Sequence, residues 1–200
     1  MRPVLSLICA VALMSATAGG EVVDRSAGGF TLRSTTQIAA TPDRVYRAVV
    51  DIGSWWSKAH TYSGDAKNMS IVARPGGCFC ETLPNGGGVE HGRVVNVVPG
   101  SLLRIVTALG PLQELGVTGS MTWQIAPSGQ GATVTMTYAV GGYAPGGLDK
   151  LADPVDKVLS EQNRPAQGAR REDAIGRYVV AGFSRTSDRT IRGGWIRTGG

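Results

Sequence analysis

Hydrophobic and polar positions alternate with a period of two over much of this chain, the pattern of strands with one buried face. The clearest run is 132–140, where Val134, Met136, Tyr138 and Val140 share one face and Thr133, Thr135 and Thr137 the other. Residues 118–126 repeat it, with Met121, Trp123 and Ile125 in phase. Segments 29–40, 68–74, 78–83, 90–98 and 101–109 also read as strands, and Pro/Gly/Asn clusters at 75–77, 85–88, 99–100 and 127–131 read as the turns between them. The period becomes helical at 41–50. Thr41 suits an N-cap, Pro42 the first helical position and Asp43 the positive helix end, while Val45, Tyr46, Val49 and Val50 form a stripe. Residues 51–57 read as a second short helical turn carrying Trp55 and Trp56. After a Gly/Pro-rich link at 141–147, Leu148, Leu151, Val155, Val158 and Leu159 form a last apolar stripe. Asp153 is the expected cap of that helix and Pro154 its first residue.

The predicted order is strand, two helices, six strands, helix. An antiparallel sheet with one apolar face needs a cover, and the last helix is the element positioned to supply it. The expectation is an α+β helix-grip fold: a curved sheet of about seven strands around a C-terminal helix, two short helices after the first strand, and a cavity between the layers. From Pro154 to Gln162 that helix is only about 14 Å long, short for the span it must cover.

Composition narrows the class. The chain has 200 residues, 42% hydrophobic and 18% charged, a globular balance. No apolar run reaches the eighteen or so residues of a membrane span, so no integral membrane segment is expected. The formal net charge of +5 arises in residues 163–200, which carry eight Arg, no Lys and three acidic residues, Glu172, Asp173 and Asp188. The remaining domain is neutral, which argues against nucleic acid as a partner. Residues 1–18 read as a secretory signal peptide: Arg2 gives a positive start, 4–14 an apolar core, and Ala16-Thr17-Ala18 a cleavage site. The expected location is therefore periplasmic or secreted. Residues 19–28 read as an N-terminal extension, 29–162 as the domain, and 163–200 as an Arg/Gly-rich tail. The abrupt change at Asn163-Arg164-Pro165 suggests a shifted reading frame replacing the native helix end; the alternative is a tail for an anionic partner. Ile175, Tyr178, Val179 and Phe183 fall at helical spacing, so part of the tail could pack.

Several motifs together resemble the START-like, or SRPBCC, superfamily, and within it homologues of the activator of the ninety-kilodalton heat-shock ATPase. They are Thr41-Pro42-Asp43-Arg44-Val45-Tyr46-Arg47-Ala48, Trp55-Trp56-Ser57, Arg74-Pro75-Gly76-Gly77-Cys78-Phe79-Cys80-Glu81, Gly92-Arg93-Val94 and Pro99-Gly100-Ser101-Leu102-Leu103-Arg104. The resemblance covers roughly residues 30–162 and implies an internal pocket for an apolar or amphipathic small molecule. A co-chaperone or partner-binding role fits an exported chain poorly, and an enzyme of polyketide cyclase or dehydratase type is the main rival.

The expected pocket lining is Trp55, Trp56, Phe79, Met121, Trp123, Tyr138 and Tyr143, with one of the two adjacent Trp at the mouth. The alternative for each is ordinary core packing. Catalytic candidates are weak: Glu81, Glu90 and His91 could place an acid and a base at the cavity, but a lone His at a strand start is more often on the surface. No nucleophile elbow and no phosphate-binding glycine loop is present, and no cofactor is expected. Cys78 and Cys80 should lie on one face of one strand about 6.5–7 Å apart, near the limit for a bridge. Two buried thiols are expected there, with a disulfide or a metal set including His91 as alternatives.

Overall fold

The computed structural model describes residues 20–129 and 131–162. The expectations for the signal segment 1–18 and the tail 163–200, including its helical stripe at 175–183, lie outside the described residues. The chain runs β1 (Gly20–Ser26), β2 (Gly29–Ile38), α1 (Pro42–Val50), β3 (Met69–Ile71), β4 (Cys78–Thr82), β5 (Gly88–Val98), β6 (Leu102–Thr107), β7 (Gly116–Ser128), β8 (Gly131–Tyr143) and α2 (Ala152–Gln162). All eight strands form one antiparallel sheet in the order β1-β2-β8-β7-β6-β5-β4-β3.

The strand count corrects the expectation of about seven. β1 falls in the segment read as an extension, and the helices follow the second strand. Gly20–Ser26 reads GEVVDRS, which lacks clean alternation, and its burial pattern is correspondingly mixed because it is an edge strand. It is held by pairing with β2, from Gly20 opposite Ser34 to Ser26 opposite Gly29. β8 also runs to Tyr143, into the Gly-rich stretch read as a link.

Two long-range pairings fix the frame. β2 pairs with β8 from Gly29–Gly141 to Ile38–Ala132, and β7 with β8 along their whole lengths. The alternation places Met121, Trp123, Ile125, Val134, Met136, Tyr138 and Val140 inside, as their spacing predicts. Gly119 leaves room for Tyr138: a Cβ there would stand 2.7 Å from that ring. The ring meets Phe30 edge-on at 6.5 Å.

α1 packs its buried Val45, Tyr46, Ala48 and Val49 against β7 and β8. Thr41 is the N-cap residue through its backbone, its carbonyl accepting from Val45 N at 3.1 Å, and its side chain makes no capping bond. Pro42 and Asp43 occupy the first turn as expected. Short 3-10 turns at Ile52–Ser54, Lys58–His60 and Ala66–Asn68 lead to β3.

α2 lies across β1 and β2. It begins at Ala152, continuous with a 3-10 turn at Leu148–Leu151, so the chain does not restart at Asp153 and Pro154. Asp153 instead binds Arg25 of β1 through both carboxylate oxygens, at 2.8 and 2.9 Å. Among the described residues, no helix is long and apolar enough to cross a membrane.

Candidate binding site

The concave face holds a small cavity of about 20 Å³ between the sheet and α2. Ser34, Thr36 and Ile38 of β2, Met121 and Trp123 of β7, and Val134 and Met136 of β8 form its floor; Trp55, Trp56, Leu159 and Gln162 close it. Such a volume admits about one water molecule. Its wall is aromatic and aliphatic with few polar groups, the composition of a small-molecule site.

Trp55 and Trp56 both line it, their rings 5.6 Å apart at 63°. The turn after α1 lets Trp56 bury while Trp55 stays half-buried. Trp56 Nε1 donates to His60 O at 2.9 Å. Trp55 Nε1 is buried and has no hydrogen-bond partner. Leaving such a donor unmade costs about 1–3 kcal/mol, which an acceptor able to reach it would recover.

The end of α2 is pinned at this mouth. Gln162 Oε1 accepts from Ser57 N at 2.8 Å, and Glu161 Oε2 lies 2.9 Å from His60 Nε2. Neither Gln162 nor this loop contact was singled out from sequence, because a polar residue at a helix end carries no pattern that marks it as buried.

The other expected lining residues lie elsewhere. Phe79 is buried against His91, with ring centroids 4.9 Å apart. Tyr138 is fully buried, donating to Thr107 O and accepting from Leu109 N, both at 3.3 Å. Burial pushes its phenol up to about 12, against the opposing effect of the Leu109 N–H. Tyr143 is 73% exposed, since β8 has by then passed beyond the core.

Glu81 and His91 form a second polar centre. The expected surface position of His91 is wrong: its side chain is 4% exposed and that of Glu81 0%. A β-bulge explains it. Phe79 pairs with Gly92 and Cys80 with Glu90, leaving His91 as the extra residue on β5; its neighbour Gly92 is buried too. A bulge breaks strict alternation, which is why the period did not place this side chain inside. His91 Nε2 lies 3.0 Å from Glu81 Oε2, and Glu81 also accepts from Tyr62 N at 3.1 Å and from Ser63 N.

Burial pushes the Glu81 carboxyl up, but hydrogen bonds from Ser63, Tyr62 and His91 outweigh it and leave the group below its ordinary value. Burial holds the His91 imidazole down, offset only partly by Glu81. The pair at neutral pH is therefore a Glu81 carboxylate accepting a hydrogen bond from the Nε2–H of a neutral His91 imidazole. It ties the 62–63 loop to β4 and β5 and does not line the cavity. Glu90 faces out and pairs with Arg93 at 2.6 Å.

Cys78 and Cys80 are joined as a disulfide, with Cα atoms 5.4 Å apart. This corrects the expectation of two buried thiols: β4 contracts below the extended spacing, and both residues are half-buried while Phe79 and Glu81 point inward. His91 packs against Phe79 and Glu81, on the face of β4 opposite both cysteines, which removes the metal set offered as an alternative. Among the described residues, no group of three or more His, Cys, Asp or Glu is placed to hold a metal ion.

A curved antiparallel sheet closed by a terminal helix over an apolar cavity defines a helix-grip domain of the START-like, SRPBCC type. The sequence belongs to the family described as "Polyketide cyclase / dehydrase and lipid transport", which it matches over residues 29–170. Solved structures support the fold. A protein from Rhodobacter sphaeroides is similar at 19% identity and a TM-score of 0.50, over 81% of this chain and 98% of that one. A protein from Rhizobium leguminosarum gives 16% identity and a TM-score of 0.50, over 83% and 99%. Ara h 8.0201 gives 13% identity and a TM-score of 0.51, over 77% and 99%. None of the curated proteins matches the sequence.

Proposed function

We propose that this domain binds a hydrophobic or amphipathic small molecule between its sheet and α2, and that it does so without chemistry. The carrying observation is the apolar cavity lined by Trp55, a residue whose buried Nε1 has no hydrogen-bond partner. In the closed form the cavity is far below the ~300–1,000 Å³ of a ligand pocket, so binding requires opening. The attachments suit that. The start of α2 is anchored by the Arg25–Asp153 pair, whereas its end is held by the Ser57–Gln162 and His60–Glu161 contacts. Swinging the end outward enlarges the space over Trp123 and Met136 while leaving the sheet intact. The ligand's acceptor meets Trp55 Nε1, and its apolar body covers the methionines.

The cyclase or dehydratase reading is less well supported, since the Glu81 carboxylate is occupied by three donors and lies away from the cavity. The narrower likeness to heat-shock ATPase activators rests on the sequence motifs alone and brings no partner with it. Export is part of the proposal. Cleavage near Ala18 would leave β1, which starts at Gly20, intact, and a disulfide fits an oxidising compartment.

Native mass spectrometry of protein purified from its own host tests the binding. A co-purifying lipid or aromatic of defined mass, released when Trp123 is replaced by Ala, is the expected result. Apo protein throughout, with no uptake from a host lipid extract, would overturn it.

A further inference from the structure

We propose that the Cys78–Cys80 disulfide is a thiol–disulfide exchange site, accepting two electrons from a thiol reductant. Three observations carry this. The bond spans one intervening residue. A cross-link stabilises by restricting the unfolded chain, an effect of about 3 kcal/mol for a fifteen-residue loop that diminishes as the loop shortens, so this one adds little to the fold. Both cysteines are half-buried, on the face of β4 opposite the core residues Phe79 and Glu81, and β4 is separated from the sheet edge only by the three-residue β3. A reductant can therefore reach the sulfurs without opening the core.

The third observation is an asymmetry of charge. Cys78 is in register with Arg93, and Cys80 with Glu90. Arg93 and Glu90 form an ion pair with each other at 2.6 Å, with its cationic partner in register with Cys78 and its anionic partner in register with Cys80, so the dipole of the pair favours a thiolate on Cys78 over one on Cys80. This sets the direction of exchange, because the better-stabilised thiolate is the better leaving group. The reductant's thiolate attacks Cys80 Sγ, the S–S bond breaks, and its electron pair leaves on Cys78 Sγ. Cys80 is then in a mixed disulfide with the reductant. A second reductant thiolate attacks the reductant sulfur of that bond, and Cys80 departs and takes a proton from water. Two thiols become one disulfide, and Cys78 and Cys80 become a dithiol; reoxidation by a disulfide of the same class reverses the sequence.

The test uses the mature chain in reduced and oxidised glutathione buffers of graded ratio, under native conditions. Alkylation and peptide mapping report Cys78 and Cys80 individually. The expected result is joint, reversible reduction by millimolar glutathione with circular dichroism unchanged and the melting temperature lowered by a few degrees at most. In the reduced protein Cys78 should alkylate faster than Cys80, and Arg93→Gln should slow reduction several-fold and erase that difference. The double variant Cys78→Ser/Cys80→Ser should fold with nearly the same melting temperature. A bond that yields only when the protein unfolds, or a double variant that loses ten degrees or more, would make it a structural cross-link. Equal alkylation of both thiols with no effect of Arg93→Gln would overturn the assigned direction.

Discussion

Glu81 accepts hydrogen bonds from Tyr62 N, Ser63 N and His91 Nε2 with no exposure to solvent. Replacing it by Ala strands the buried His91 donor, at about 1–3 kcal/mol, and frees two part-buried backbone donors, so Glu81→Ala should destabilise the domain by about 2 kcal/mol or more in urea unfolding. Its pH dependence has a definite sign. The lowered Glu81 value gives stability present above its unfolded value and lost as pH falls through the folded one. The lowered His91 value acts in the same direction. The unfolded chain binds that proton near pH ~6.5 while the native state resists it, so stability falls as pH drops below that point. Unfolding free energy should thus decline from pH 7 towards pH 5, and His91→Gln should flatten the upper part of the decline. Parallel curves for the two proteins would contradict the assignment. Trp123, 3% exposed at the cavity floor, should cost about 3–5 kcal/mol on truncation to Ala, and an unchanged melting temperature would mean that it does not fill the core.

At the scale of elements, the same feature that hid His91 from a reading of the sequence makes a prediction. The bulge on β5 needs Gly92: a Cβ there would collide with the Val106 carbonyl and stand 2.8 Å from Thr107 Cβ. Gly92→Ala should lower the melting temperature by several degrees, whereas Gly88→Ala, which meets only Glu81 O at 3.4 Å, should be nearly silent. Strong alternation made β7 and β8 legible together with their inward faces, and the Thr41-Pro42-Asp43 start made α1 legible. β1 was not legible, since an edge strand needs no continuous apolar face. Nor was the start of α2, where a 3-10 turn runs straight into the helix and Asp153 is recruited by Arg25. The pinned end of α2 belongs to this scale as well. Gln162→Ala removes the acceptor of the Ser57 N–H and should speed entry of an amphipathic probe in stopped-flow fluorescence, while an unchanged association rate would show that the contact is no latch.

For the whole molecule, the layering of sheet and helix followed from pattern, and the cavity floor from parity: Met121 and Trp123 were placed by counting twos. The cavity roof was legible only at Trp55 and Trp56, because Leu159 reads as any helix-stripe residue and Gln162 reads as polar surface. Phe79 and Tyr138 show the limit of parity, which tells inside from outside but not which inside residues border a void. Export should appear as an intact mass beginning near Gly19 in protein secreted by the native host, and a retained Met1 would contradict it. The central claim is that the cavity opens to take an amphipathic molecule whose acceptor pairs with Trp55 Nε1. The direct measurement is the indole N–H resonance of Trp55 in a ¹⁵N-labelled protein, assigned with Trp55→Phe and titrated with dodecanoate and with anilinonaphthalenesulfonate. A saturable downfield shift of that one resonance, with smaller shifts at Trp56 and Trp123, is the result this account predicts; an indole resonance that stays in place while the probe binds elsewhere, or does not bind at all, would contradict it.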